Sequence, residues 1–92
     1  MIARYTVSVG QVGEVLALVA ELAKASLAEP GCRRFDVYRR VDDDRRIVLL
    51  ARYSSREAHE AHEASEHSAN LVKGILPRLD SRVVETYDVP EA

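Results

Sequence analysis

Three imidazoles, His59, His62 and His67, fall within nine residues of one another in a segment rich in alanine and glutamate. Histidine is the side chain whose ordinary pKa lies closest to neutrality, so such a group can move a proton or hold a metal. At about 100° per residue along a helix, Ala58, Ala61, His62 and Ser65 share one narrow face. Glu57, Glu60 and Glu63 lie outside it. His62 is therefore expected to point at the rest of the fold, among small residues that leave space around it. It is the candidate catalytic residue, a group that holds a substrate oxygen or transfers a proton. The plainer alternative is a partly buried histidine satisfied by a backbone carbonyl. His59 sits on the flank of that face with Glu66. The i, i+4 and i, i+7 spacing of His59, Glu63 and Glu66 is compatible with metal ligation. It is also ordinary in a Glu-rich helix, so it reads as His–Glu pairing, and no metal site is expected. His67 falls where the helix breaks and reads as a joint-fixing residue, because backbone groups there lack helical partners.

The aromatic residues are the second chemical feature. Tyr5, Phe35, Leu49 and Tyr53 fall on one apolar face of their strands if the pleat is regular. Together with His59 they are the candidate substrate-binding residues, able to line a flat cavity beneath the helices. Phe35 and Leu49 suit plain core as well. Tyr5 and Tyr53 need partners for their hydroxyls, which makes them the better pocket candidates. Cys32 has no base beside it and reads as a small buried hydrophobe. Asp42-Asp43-Asp44 lacks the later glycine and glutamate of a calcium loop and reads as a solvated turn. The chain has no CxxC, HExxH, serine elbow or phosphate-binding glycine loop.

The elements that must position these groups follow from periodicity. Ile2 to Val9 alternates as a strand, and Gly10 ends it. From Gln11 to about Leu27 the period becomes helical, with Val12, Val15, Leu16, Val19, Leu22 and Ala23 as the apolar stripe. Pro30-Gly31 stops that helix, proline by restricting the residue before it and glycine by permitting the turn. Arg33 to Val41 and Ile47 to Tyr53 read as an antiparallel hairpin across the acidic turn. Ser54 and Glu57 have capping-box spacing ahead of a helix running to about Ala64. A further helical piece covers about Ser65 to Ile75, Pro77 ends it, and Arg82 to Val89 reads as the last strand. The order is β-α-β-β-α-β with the second helix in two parts. This is an α+β, ferredoxin-like split β-α-β arrangement: a four-stranded antiparallel sheet with helices on one face.

Composition sets the outer limits. Ninety-two residues, 47% of them hydrophobic and 30% charged, make one domain spanning 1–92. Thirteen basic side chains against 15 acidic ones give a net charge of −2. That balance supplies no electrostatic reason to bind nucleic acid or an anionic membrane, and neither partner is expected. A lone cysteine excludes an intramolecular disulfide. The opening stretch reaches Arg4 at once and reads as neither a signal peptide nor a membrane span, so a cytoplasmic location is expected.

Several pieces occur in a telling order: Val9-Gly10, Glu29-Pro30-Gly31-Cys32, the charged hairpin, Ser55-Arg56-Glu57-Ala58, and Ala61-His62-x-x-Ser65-x-His67. In this the chain resembles the antibiotic biosynthesis monooxygenase family of dimeric α+β barrels, over nearly its whole length. The resemblance implies a ferredoxin-like domain paired through the open faces of two sheets. It implies an activity in which phenols, quinols or polycyclic aromatics are oxidised with O₂ without flavin or metal, the substrate supplying an enolate. No cofactor is therefore expected. Several members carry Asn and Trp four residues apart on the third strand; the matching positions here are Leu49 and Tyr53. Haem degradation, found in a related group, is not expected, because the chain has no Trp and its one Asn is Asn70.

Two helices can cover only one face of such a sheet. The other is expected to carry Cys32, Tyr38, Val48, Leu50 and Val84 beside Arg4, Arg34, Asp36 and Arg52. A homodimer closing that face is the expected partner. The function expected is a cofactor-independent monooxygenase acting on a small aromatic ligand. The alternative is a non-catalytic dimeric module of the same fold, ligand-binding or structural.

Overall fold

In the computed structural model, which describes residues 1–88, the elements are β1 (Ile2–Val7), α1 (Val12–Leu27), β2 (Cys32–Arg39), β3 (Arg46–Tyr53), α2 (Arg56–Ala64), α3 (Glu66–Ile75) and β4 (Leu79–Glu85). A single 3₁₀ turn, Leu76–Arg78, joins α3 to β4 and contains Pro77. The four strands form one antiparallel sheet in the order β2-β3-β1-β4. This is the ferredoxin-like arrangement, with helices packed on one face.

The core follows the two periods read from the sequence. β1 turns Ala3, Tyr5 and Val7 inward, and β3 turns Ile47, Leu49 and Ala51 inward. α1 meets them with Val15, Val19 and Leu22, and α3 adds Ile75. Full burial of each large aliphatic side chain contributes roughly 1.5–3 kcal/mol, so this layer holds the helices down.

Local chemistry explains the turns. β1 ends at Val7, earlier than expected, and Val9 is 79% exposed. Gly10 then takes φ +82°, a left-handed conformation that glycine adopts without strain. In the acidic turn, Asp43 Oδ1 accepts a bond from the Arg45 N–H at 3.1 Å, an Asx turn. The cap of α2 is Ser55, not Ser54: the Ser55 hydroxyl accepts from the Ala58 N–H at 3.1 Å. Because Ala58 holds the third helical position, the reciprocal glutamate of a capping box is absent there.

Two bulges correct the expected faces. The β2–β3 register shifts between Cys32 and Arg34, so Cys32 pairs with Tyr53 and is buried rather than lying on the open face. β4 starts at Leu79, three residues before the expected Arg82, and its register against β1 shifts between Thr6 and Val7. Val84 lies opposite inward-facing Ala3, and Val83 lies opposite Arg4. The apolar residue that β4 gives to the open face is therefore Val83, not Val84. The expected end of this strand, Val89, lies outside the described residues.

Candidate functional site

The site forms where three chain segments meet: the end of α1, the helix α2 and the start of α3. α1 stops at Leu27, and the turn that follows is closed by Glu29 N–H to Ser26 O at 3.0 Å and Cys32 N–H to Glu29 O at 3.2 Å. This holds the Glu29 side chain beneath α2. Gly31 explains how the helix comes so close. A Cβ built on Gly31 would lie 2.3 Å from Ala58 Cβ, so it is close approach, rather than a positive φ, that requires glycine there.

α2 and α3 part at Ser65, which is extended (φ −68°, ψ 143°). Its hydroxyl donates to the His62 carbonyl at 2.6 Å, so it closes the last turn of α2 and stops the helix from continuing. The break turns α3 so that His67 and Ser68 face back towards His62.

His62 is 5% exposed. Its Nδ1 lies 2.6 Å from Glu29 Oε1 and 3.5 Å from Ser26 Oγ, and its Nε2 lies 3.4 Å from Ser68 Oγ. With Glu29 accepting from Nδ1–H, Nε2 is left as the basic nitrogen. The ring packs against Tyr53, with centroids 5.3 Å apart, and more loosely against Phe35 at 6.5 Å. His67 lies beside the same carboxylate, with Nε2 3.9 Å from Glu29 Oε1 and 3.5 Å from Ser65 Oγ.

Tyr53 stands between two histidines. On its other side is His59, with ring centroids 4.8 Å apart. The His59 side chain is only 13% exposed, and its Nε2 lies 3.1 Å from Glu63 Oε1. The buried face of α2 thus runs through Ala58, His59 and His62, and Ala61, placed inward by the regular wheel, is exposed. The Tyr53 hydroxyl is buried and has no hydrogen-bond partner among the described residues. Burial is the main reason its pKa is raised far above that of a free phenol; the neighbouring Cys32 and Glu29 add to it. Burial likewise pushes the Cys32 thiol up.

A groove of about 970 Å³ opens at this end of the sheet, with Tyr53, His59, Glu60 and Glu63 on one side and Ala51, Arg52 and Thr86 among its other walls. His62 is not one of its lining residues. The structure thus gathers His62, Tyr53, His59 and Phe35 into one neighbourhood. Tyr5 and Leu49 are buried deep in the core, 3% and 1% exposed, in the layer that supports it. Glu29, Ser26 and Ser68 join the site without having been singled out from the sequence. One signal for Ser26 was present: it continues the apolar stripe of α1 at i+4 from Leu22, and a hydroxyl on such a stripe calls for a buried partner.

Comparison with known proteins returns the same ferredoxin-like fold. The family model of the antibiotic biosynthesis monooxygenases matches residues 1–74, and the chain belongs to that family. Among solved structures, a crystal structure of an antibiotic biosynthesis monooxygenase is 27% identical. It superposes with a TM-score of 0.87, covering 97% of this chain and 96% of the other. The protein Rv0793 from Mycobacterium tuberculosis is 26% identical, with a TM-score of 0.80 over 97% and 95% of the two chains. A Deinococcus radiodurans protein provisionally described as an antibiotic biosynthesis monooxygenase shares only 15% identity. Its TM-score is 0.91 over 99% and 91%, a likeness of fold. No curated protein matches the chain significantly. None of the helices among the described residues is long and apolar enough to cross a membrane.

Proposed function

We propose that this chain is a cofactor-independent monooxygenase that oxidises a small phenolic, quinol or polyketide-like aromatic with O₂. The family supports the reaction class, and the observation that carries the reading is the His62–Glu29 pair set behind an unpartnered Tyr53 hydroxyl. Glu29 fixes the ring and leaves Nε2, beside the Ser68 hydroxyl, as the nitrogen that accepts a proton, the arrangement a general base needs. Tyr53 and His59 hold the aromatic ring at the groove, and the phenol donates to a substrate oxygen. Phe35, Leu49 and Tyr5 lie in the buried apolar layer that supports this wall. His62 is the one fully buried residue of α2, so substrate access from the groove to the imidazole requires an outward shift of this short helix. Proton removal makes the substrate an enolate, which reduces O₂. One oxygen atom becomes a new carbonyl, and the other leaves as water with the two hydrogens of the oxidised carbon.

The burial of His62 also favours a second reading, a non-catalytic module that binds an aromatic at the Tyr53–His59 wall. Oxygen uptake with a panel of quinols and anthrone-like phenols separates the two. Consumption of O₂ above the protein-free rate, lost in His62→Gln, supports the oxygenase. Tyrosine-fluorescence quenching by the same compounds without O₂ consumption supports the binding module and overturns the oxygenase.

A further inference from the structure

The Glu29–His62–His67 cluster has a property that the proton chemistry does not use. One donor atom from each of the three residues lies within 4.8 Å of the other two. The donors come from three separate segments: the turn after α1, the last turn of α2 and the first turn of α3. Glu29 Oε1 stands between the two imidazoles, 2.6 Å from His62 Nδ1 and 3.9 Å from His67 Nε2. Ligand atoms around a tetrahedral ion with bonds of about 2.0–2.1 Å lie roughly 3.3 Å apart, and these separations bracket that value. An ion among the three requires the Glu29–His62 pair to open and the Glu29–His67 pair to close.

The surroundings have the other features of a metal site. A ligating imidazole normally has its second nitrogen held by a hydrogen-bonding group, and Ser68 Oγ stands 3.4 Å from His62 Nε2. An entry path exists, because the His67 side chain is 41% exposed while that of His62 is 7% exposed. Two neutral imidazoles and one carboxylate are a borderline nitrogen–oxygen set, which suits Zn²⁺ or Co²⁺ better than calcium or magnesium.

We propose that Glu29, His62 and His67 form a binding site for a divalent transition-metal ion of the Zn²⁺ type, with the fourth position left to water. The inference goes beyond the oxygenase reading, in which the protein works without metal. The ion replaces the proton that Glu29 and His62 share, so it acts as an inhibitor of the imidazole base and not as a reactant. The other histidine–carboxylate pair, His59 with Glu63, is two ligands on one helix and serves as the comparison.

The test is titration of chelator-treated, folded protein with Co²⁺ alone, read by its visible absorption, followed by displacement with Zn²⁺. One equivalent per chain with the intense bands of four-coordinate cobalt, abolished by Zn²⁺, is the expected result. His67→Ala removes a half-exposed ligand and is expected to keep the fold by circular dichroism while weakening Co²⁺ binding about 100-fold or more. Glu29→Gln provides a second variant should either one misfold, and Glu63→Gln is expected to leave the titration unchanged. Absence of the bands in wild type, bands that persist in folded His67→Ala and Glu29→Gln, or bands lost in Glu63→Gln would each overturn the site. The readout is independent of turnover, so it holds whether or not a quinol is oxidised.

Discussion

The Glu29 carboxylate lies 2.6 Å from Nδ1 of His62, across 33 residues of sequence. Both groups are largely withdrawn from water, so each satisfies a partner that would otherwise be buried alone. Removing either is expected to cost stability, about 1–3 kcal/mol, because the residue left behind keeps its desolvation penalty. Glu29→Ala and His62→Ala should each lower the unfolding free energy measured by urea titration by that amount, and the double variant should cost less than their sum. In folded His62→Ala, turnover should fall about 10²-fold if the imidazole transfers a proton. Unchanged turnover or ligand binding in that protein would make His62 a structural residue.

Tyr53 invites the opposite experiment. Its hydroxyl is buried without a partner among the described residues, so Tyr53→Phe should leave the melting temperature at pH 7 unchanged or raise it. Ligand binding at the groove should weaken by about tenfold, the loss of one hydrogen bond. The sign of the pH dependence follows from burial. Tyr53 and Cys32 both have raised pKa values in the fold. The unfolded chain therefore releases these protons first, from about the ordinary values of 9.0 for the thiol and 10.0 for the phenol. Their contribution is intact below pH 9 and is lost as the pH rises above it. Thermal melts from pH 8 to 11 should show this decline, and Tyr53→Phe should reduce the part above pH 10.

Gly31→Ala tests the close approach of α2. The added methyl meets Ala58 Cβ, a short side chain that cannot swing aside, so the helix must shift. A loss of roughly 1–3 kcal/mol is expected, typical of overpacking. Gly31→Ala combined with Ala58→Gly should recover part of it. A variant as stable as wild type would show that α2 is less closely seated than its geometry indicates.

The open face of the sheet bears on association. Val48 and Leu50 on β3, Tyr38 on β2 and Val83 on β4 lie outside the helical layer, among Arg4, Arg34, Asp36 and Arg52. Arg4 pairs with Glu85 and Arg34 with Asp36 at this surface. A two-fold dimer through this face is the expected assembly. Light scattering at micromolar concentration should give about twice the 10.3 kDa chain mass, and Val83→Asp or Leu50→Asp should lower it. A mass of one chain for the wild type would defeat this expectation.

The sequence by itself determined the elements and their order, and it turned His62 inward. The reason is local: the apolar period changes from 2 to 3.6 and back, and the helical wheel of α2 places His62 on the inner face, although it misplaces Ala61. Local pattern also put Tyr53 on the inward face of its strand. Tertiary structure decided the rest. A bulge moves Cys32 inward, because one extra residue reverses the alternation read along the strand. Close packing, and not turn geometry, explains Gly31. The partner of His62 was invisible along the chain, because Glu29 reaches it only when α1 stops, the chain turns at Pro30 and α2 folds back over that turn. The break at Ser65 then aims His67 and Ser68 at the same point. Periodicity reports which way a side chain faces within its own element; only the packing of three elements decides what it meets there.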